Sequence, residues 1–100
     1  MLIKNQDGNM LVMFNDGMIT LYSWNNKNGC DVIHDYYGTE NTLGTYSTEA
    51  QAKEVLEEIM KEYARTIYRE QNAWQHKEDF VNKPKVYIMP QDKGADYGNQ

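Results

Sequence analysis

Cys30 and His34 are the two residues whose types and spacing come closest to a metal or thiol site. A thiolate and an imidazole are good metal ligands, and a histidine can activate a neighbouring cysteine. Their segment is predicted to be a strand, however, in which a spacing of four residues covers about 13 Å of backbone. Because no second cysteine is present and His76 is distant in sequence, we expect Cys30 to be a small residue near a turn and His34 a half-exposed imidazole.

Three carboxylates, Asp31, Asp35 and Glu40, are the candidates for acid and base chemistry. Glycosidases and metal-dependent nucleases need such groups in pairs. No apolar segment that would raise a carboxyl pKa surrounds these residues, and Asp31 and Asp35 share one face of the predicted strand. We therefore predict no enzymatic activity, no metal and no cofactor, and interpret the carboxylates as a polar face accessible to a partner.

The excess of aromatic residues points to a contact surface, since the chain has eight tyrosines and two tryptophans. Aromatic side chains with a polar end are enriched at protein interfaces and often dominate their binding energy. Four aromatic residues border irregular or polar segments: Trp24, Tyr36, Tyr37 and Trp74. Tyr63 and Tyr68, in contrast, are predicted to pack in the core. The predicted partner-binding residues are Trp24, Asp31, Asp35, Tyr36, Tyr37, Glu40 and Trp74.

Strands must position most of these residues, because turn sequences divide the first half of the chain into short segments. The predicted strands are Leu2–Asn5, Met10–Phe14, Met18–Trp24, Asp31–Tyr37 and Thr42–Tyr46. Asp16-Gly17 is predicted to form the hairpin turn between the second and third of them, because glycine adopts the positive φ that such turns need. Val86–Met89, before Pro90, is predicted to be a last strand at a sheet edge.

One long amphipathic helix is predicted from Thr48 to Glu70. Thr48 can cap its first turn, with Gln51 completing a capping box. Its apolar residues recur with helical spacing: Ala52, Val55, Leu56, Ile59, Met60, Tyr63, Ile67 and Tyr68. The predicted fold is therefore α+β, an antiparallel β-meander of four to six strands packed on one long amphipathic helix. Residues 1–90 are expected to form a single domain, and residues 91–100 a disordered C-terminal tail.

Composition restricts the function classes. The net charge of −5 disfavours direct nucleic-acid binding, which needs clustered Lys and Arg, and favours a partner with a basic surface. A single cysteine allows no intrachain disulfide. No segment has the features of a signal peptide or a membrane span, so we expect no membrane association and a cytoplasmic location.

The run Leu43–Ile59, together with Val86-Tyr87-Ile88-Met89-Pro90 and the opening Ile3–Gly8, resembles small uncharacterised proteins of phages and mobile elements of Gram-positive bacteria. The resemblance covers about half of the chain and carries no catalytic residues. It implies a setting, that of a phage accessory protein, a class that includes anti-CRISPR and other small acidic inhibitors of bacterial defence.

Three functional hypotheses follow. The first is a non-catalytic acidic protein-binding module that inhibits a bacterial defence or host protein. The second is an oligomeric structural or scaffold protein, for example a homodimer, in which the aromatic surface is self-complementary. The third is a small-ligand binder that sequesters a nucleotide signal in a pocket between subunits, where Tyr and Trp stack on the base; the chain lacks the glycine-rich phosphate loop that such a site often uses.

Overall fold

The computed structural model describes residues 1–14, 16–24, 29–71 and 86–94, and only the backbone of residues 66–71. Over these residues the fold is α+β, as predicted. The elements in chain order are β1 (Leu2–Lys4), β2 (Leu11–Met13), β3 (Met18–Ser23), β4 (Cys30–Tyr36), β5 (Thr39–Tyr46), α1 (Glu49–Gln71) and β6 (Val86–Ile88).

The strands form two small sheets, so the predicted single antiparallel meander is wrong. The first sheet has the order β2-β1-β6, in which β1 is antiparallel to β2 and parallel to β6. The second sheet is antiparallel and has the order β3-β4-β5. The last strand lies at an edge of the first sheet, as predicted. A parallel pair needs a long connection, and here the chain between β1 and β6 contains the other four strands and the helix.

The predicted hairpin at Asp16-Gly17 is also wrong, because β2 pairs with β1 and β3 pairs with β4. Gly17 has a positive φ of 87°, but the chain uses it as a corner between the two sheets. The Asp16 carbonyl lies 3.0 Å from Nε2 of His34 on β4. The Phe14 ring packs edge-on against His34 and Tyr63, with centroid distances of 5.7 and 5.0 Å. The partly buried Phe14 ring thus contacts the second sheet and the helix where the chain leaves β2.

In the second sheet a tight hairpin turn joins β4 to β5 through Tyr37 and Gly38. Their φ values of 49° and 92° are those of a two-residue turn with both central residues in the left-handed region. This tight loop lets β5 begin at Thr39, three residues before the predicted start. A bulge follows, because Val32 pairs with Gly44 and Ile33 with Thr42. The extra residue, Leu43, is buried in the core.

The helix begins as predicted, because the Gln51 amide donates to Thr48 Oγ1 at 3.2 Å. It contacts all three strands of the second sheet. Ala52, Val55 and Ile59 are fully buried, but Met60 is 58% exposed, so its assignment to the buried stripe is wrong. Met60 follows Ile59 directly, and a one-residue step rotates a side chain by about 100° around the helix axis. The side chains of Ile67 and Tyr68 lie outside the described residues.

One hydrophobic core joins both sheets and the helix. The first sheet contributes Ile3 and Val12, the second contributes Val32 and Tyr46, and the helix and the segment after β6 complete it. The buried residues are Ile3, Val12, Cys30, Val32, Leu43, Tyr46, Ala52, Val55, Ile59 and Met89. Gln6 links the two sheets. Its backbone N–H donates to Leu43 O at 2.8 Å, and its side-chain Oε1 accepts from Thr45 N at 2.8 Å.

The segment after β6 lies against the start of the helix. Gln51 accepts a hydrogen bond from Lys93 N at 2.9 Å and donates one to Gly94 O at 3.0 Å. Asp92 accepts from both the backbone and the hydroxyl of Ser47, and these bonds lower the pKa of Asp92. The predicted disordered tail starts at Gln91, so its first four residues are placed here. Residues 95–100 lie outside the described residues.

A candidate protein-binding face

The outer face of the second sheet collects the predicted carboxylates. Along β4, Cys30, Val32 and His34 point inward and are buried, whereas Asp31, Ile33 and Asp35 are partly exposed on the opposite side. Glu40 pairs directly with Asp35 across the hairpin. We call this outer surface the acidic face; it consists of Met18, Thr20, Tyr22, Asp31, Ile33, Asp35, Glu40 and Thr42. Three of the seven predicted site residues therefore meet on one surface.

Hydrogen bonds hold the two aspartates of the acidic face in position. Asp35 Oδ1 accepts from Gly38 N at 2.9 Å, within the hairpin turn. Asp31 Oδ1 accepts from the Thr45 hydroxyl at 2.8 Å, across to β5. Each carboxylate keeps a second oxygen for another donor, since a carboxylate offers several acceptor sites. The face thus presents oriented acceptors rather than free side chains.

The acidic face lacks compensating positive charge. Residues 5–52 carry six carboxylates, Asp7, Asp16, Asp31, Asp35, Glu40 and Glu49, against the single Lys27, whereas the rest of the chain is balanced. Residues 28–52 contain no Lys or Arg. Asp35 and Glu40 are opposite one another, an arrangement in which like charges repel. A cation from a partner would remove this repulsion.

Tyr36 and Tyr37 lie at the hairpin tip, beside the acidic face. They are 50% and 77% exposed, and their rings meet edge to face with a centroid distance of 4.7 Å. The Tyr37 hydroxyl donates to Asp16 Oδ2 at 2.6 Å and so brings a further carboxylate to this end of the sheet. Strand alternation places Tyr36 towards the inner side, near His34. The tip therefore combines exposed aromatic surface with negative charge.

Trp24 does not join this group. Trp24 follows β3 at the other end of the sheet, is half-buried, and donates its backbone N–H to Gly29 O at 3.0 Å. Its ring packs so closely on Gly29 that a Cβ there would lie 2.3 Å from it. Trp74 lies outside the described residues. In the described structure Trp24 thus packs at the end of the second sheet opposite the tip formed by Tyr36 and Tyr37, and its role in binding stays a prediction.

Two residues of the acidic face, Met18 and Tyr22, were missed in the prediction. They are 60% and 56% exposed and lie opposite Asp35 and Asp31 on the neighbouring strand. The alternation of Ile19 and Leu21 with Thr20 and Tyr22 already indicates which side of β3 faces outward. What the sequence did not indicate is the register that places Tyr22 beside Asp31.

Cys30 and His34 lie on the inner side of the same strand. His34 is only 3% exposed, so the predicted half-exposed imidazole is wrong: Phe14 and the Asp16 carbonyl cover it. Cys30 is buried, and desolvation raises the pKa of its thiol, which disfavours the reactive thiolate. Among the residues the structure describes, no three His, Cys, Asp or Glu side chains form a group that could hold a metal.

Two cavities bear on the ligand-binding hypothesis. A groove of ≈ 580 Å³ on the first sheet is lined by Lys4, Gly8, Asn9, Met10, Leu11, Val86 and Ile88, none of them aromatic. A second cavity, beside Gln51 and Lys93, has a volume of only ≈ 60 Å³. The groove therefore lacks a Tyr or Trp on which a nucleotide base could stack, and the second cavity, although Tyr46 lines it, is too small to hold one. In the described part of the chain, no helix is long and apolar enough to cross a membrane.

The contact between Asp16 and Tyr37 predicts a pH dependence at the hairpin tip. The Tyr37 hydroxyl, with the Gly17 amide, holds the pKa of Asp16 below its ordinary value of 3.8. Because the folded pKa is the lower one, the contact stabilises the tip above the unfolded pKa and is lost as the pH falls through the folded pKa. We expect Tyr37→Phe to raise the Asp16 pKa in an NMR titration of the carboxyl group. An unchanged Asp16 pKa in this variant would contradict the contact.

Comparisons of the chain with protein-family models, with curated proteins and with solved structures found no match. The function is therefore inferred from the chemistry of the acidic face and its surroundings.

Proposed function

We propose that the protein is a non-catalytic protein-binding module that binds a basic surface of another protein through its acidic face. The observation that supports this most strongly is the grouping of Asp31, Asp35 and Glu40 on one open sheet surface without a neighbouring Lys or Arg in the described strands. In the setting that the sequence resemblance implies, the module acts in the cytoplasm of a bacterial host and inhibits a defence or host protein.

The acidic face suits such a partner for two physical reasons. Its carboxylates attract a basic surface over a distance of about 8–10 Å at moderate salt, which accelerates association. Met18 and Tyr22 then provide exposed apolar and aromatic area on the strand beside the carboxylates, which contributes contact energy once water is displaced. Charge thus accounts for recognition, and the aromatic and apolar side chains for the lifetime of the complex.

A nucleic-acid-binding groove is the kind of basic surface that fits best. Such grooves carry rows of Lys and Arg that normally neutralise phosphates. Asp31 and Asp35 lie about 13 Å apart along one strand, and Glu40 widens the row across the hairpin. A rigid row of carboxylates can form ion pairs with the same Lys and Arg side chains and so exclude the nucleic acid.

The experiment is affinity capture from a lysate of a Gram-positive bacterium, with the intact protein as bait and washes at low and high salt. We expect a stoichiometric partner that mass spectrometry identifies, that is retained at low salt and that is released at high salt. A parallel bait, Asp31→Asn/Asp35→Asn/Glu40→Gln, keeps the acceptors for Thr45 and Gly38 but removes three charges. Equal capture by the two baits would overturn the proposal.

A further inference from the structure

The strand β2 has a free edge in the described structure. Met10, Val12 and Phe14 direct their backbone groups to β1, as shown by the bonds Asn5 N to Met10 O and Phe14 N to Met1 O, at 3.0 and 2.9 Å. In an antiparallel ladder the alternate residues point the other way. Leu11 and Met13 therefore direct their N–H and C=O groups away from β1, and no described strand lies on that side.

This edge is uncharged and apolar. The run from Asn9 to Phe14 contains no charged residue and no proline. Leu11 and Met13 are 59% and 68% exposed, in a chain whose net charge is −5. Natural proteins usually protect an edge strand with charge, proline, a bulge or a cover, because its unpaired backbone groups bind other strands. β2 is itself short, at three residues, but it has no charge, proline or bulge, and no described element covers it.

We propose that β2 pairs with β2 of a second copy of this chain, in an antiparallel dimer centred on Val12. In that register Leu11 of one copy is opposite Met13 of the other, and each such pair exchanges two backbone hydrogen bonds. The edge is thereby complementary to itself, which is the requirement for a two-fold symmetric contact. The first sheet of one copy and the first sheet of the other, with three strands each, thereby form one continuous six-stranded sheet.

The charge distribution makes this edge the place where a second copy is repelled least. Two chains of net charge −5 repel one another. The repulsion is smallest where the surfaces that meet carry no carboxylate, as at β2. The paired edges also align Leu11 with Met13 on the same exposed side, where apolar cross-strand pairs are stabilising. The acidic face belongs to other strands, so this proposal does not depend on the proposed function.

The first test is sedimentation equilibrium of the intact protein and two variants. Met13→Pro removes the backbone N–H that residue 13 directs towards the second copy, and the symmetric dimer loses this donor from both copies. Proline is tolerated at an edge strand. Ile88→Lys is the matched control, because it adds charge to the exposed side of β6 and leaves the β2 edge intact. We expect a dimer for the wild type and for Ile88→Lys, and a dissociation constant at least about tenfold higher for Met13→Pro.

The second test fixes the register by disulfide cross-linking in a Cys30→Ala background. Leu11 and Met13 of opposite copies would have Cα atoms about 5.5 Å apart, within the range for a disulfide, whereas two copies of the same residue lie beyond about 7 Å. We expect oxidation to link a chain carrying Leu11→Cys to a chain carrying Met13→Cys, and neither variant to link to itself. A monomer at all concentrations, equal self-linking, or dissociation by Ile88→Lys alone would each overturn the proposal.

Discussion

Replacing Tyr46 by alanine is expected to lower the free energy of unfolding by about 3–5 kcal/mol, the usual cost of deleting a large buried aromatic side chain. Tyr46 is 1% exposed and belongs to the core that joins the second sheet to the segment after β6. Its hydroxyl donates to Pro90 O at 2.7 Å. Burial also raises the pKa of this phenol, so the hydroxyl remains the donor across the neutral range.

Tyr46→Phe is the matched control. It keeps the ring and removes only the hydroxyl, and Pro90 O still accepts a weaker bond from Gln6 Nε2 at 3.3 Å. The expected loss is about 1 kcal/mol. Denaturant unfolding of the three proteins measures both effects. If Tyr46→Phe were as destabilising as Tyr46→Ala, the hydrogen bond rather than ring packing would hold this part of the core.

Gly17→Ala is expected to have the second large effect, about 2–5 kcal/mol, because two costs add. Its φ of 87° is left-handed, which costs an alanine about 1–2 kcal/mol. In addition, a Cβ would lie 2.5 Å from the backbone oxygen of Asp35, so the corner between the sheets would have to open. Overpacking of this kind costs about 1–3 kcal/mol.

Gly38→Ala separates these two costs. Gly38 has a similar φ of 92°, but nothing lies within 4 Å of the position of its Cβ. We expect this variant to lose only the conformational part, about 1–2 kcal/mol. Equal losses in thermal or denaturant unfolding of the two variants would show that Asp35 does not closely approach Gly17 in solution.

The sequence predicts local structure well and pairing poorly. The helix start follows from Thr48 and the spacing of Ala52, Val55 and Ile59, which are local signals. The separation into two sheets depends on Ile3 pairing with both Val12 and Tyr87, and Tyr87 is distant in sequence. No local pattern encodes that contact. The Asp16-Gly17 turn was misassigned because positive φ serves a corner as well as a hairpin.

The candidate site shows the same division between local structure, which the sequence predicts, and contacts between distant residues, which it does not. Asp31 and Asp35 share a face because an even spacing along a strand places both side chains on one side. Glu40 joins them through the short loop at Tyr37 and Gly38, a register that a two-residue turn imposes. Trp24 could not be placed, since its position depends on close packing against Gly29. The exposed apolar edge of β2 was overlooked, although a run of Leu11, Val12 and Met13 without polar alternation is a signal for it.

The most direct test of the acidic face is the salt dependence of affinity for the captured partner, measured by calorimetry with three proteins. They are the wild type, the face variant Asp31→Asn/Asp35→Asn/Glu40→Gln, and a control with equal charge loss, Asp7→Asn/Glu54→Gln/Glu57→Gln, whose three carboxylates are exposed elsewhere. At about 0.5 kcal/mol for each lost charge contact, we predict roughly tenfold weaker binding and a shallower salt dependence for the face variant only. Equal affinities and equal salt dependence for the face and control variants would contradict recognition through this surface.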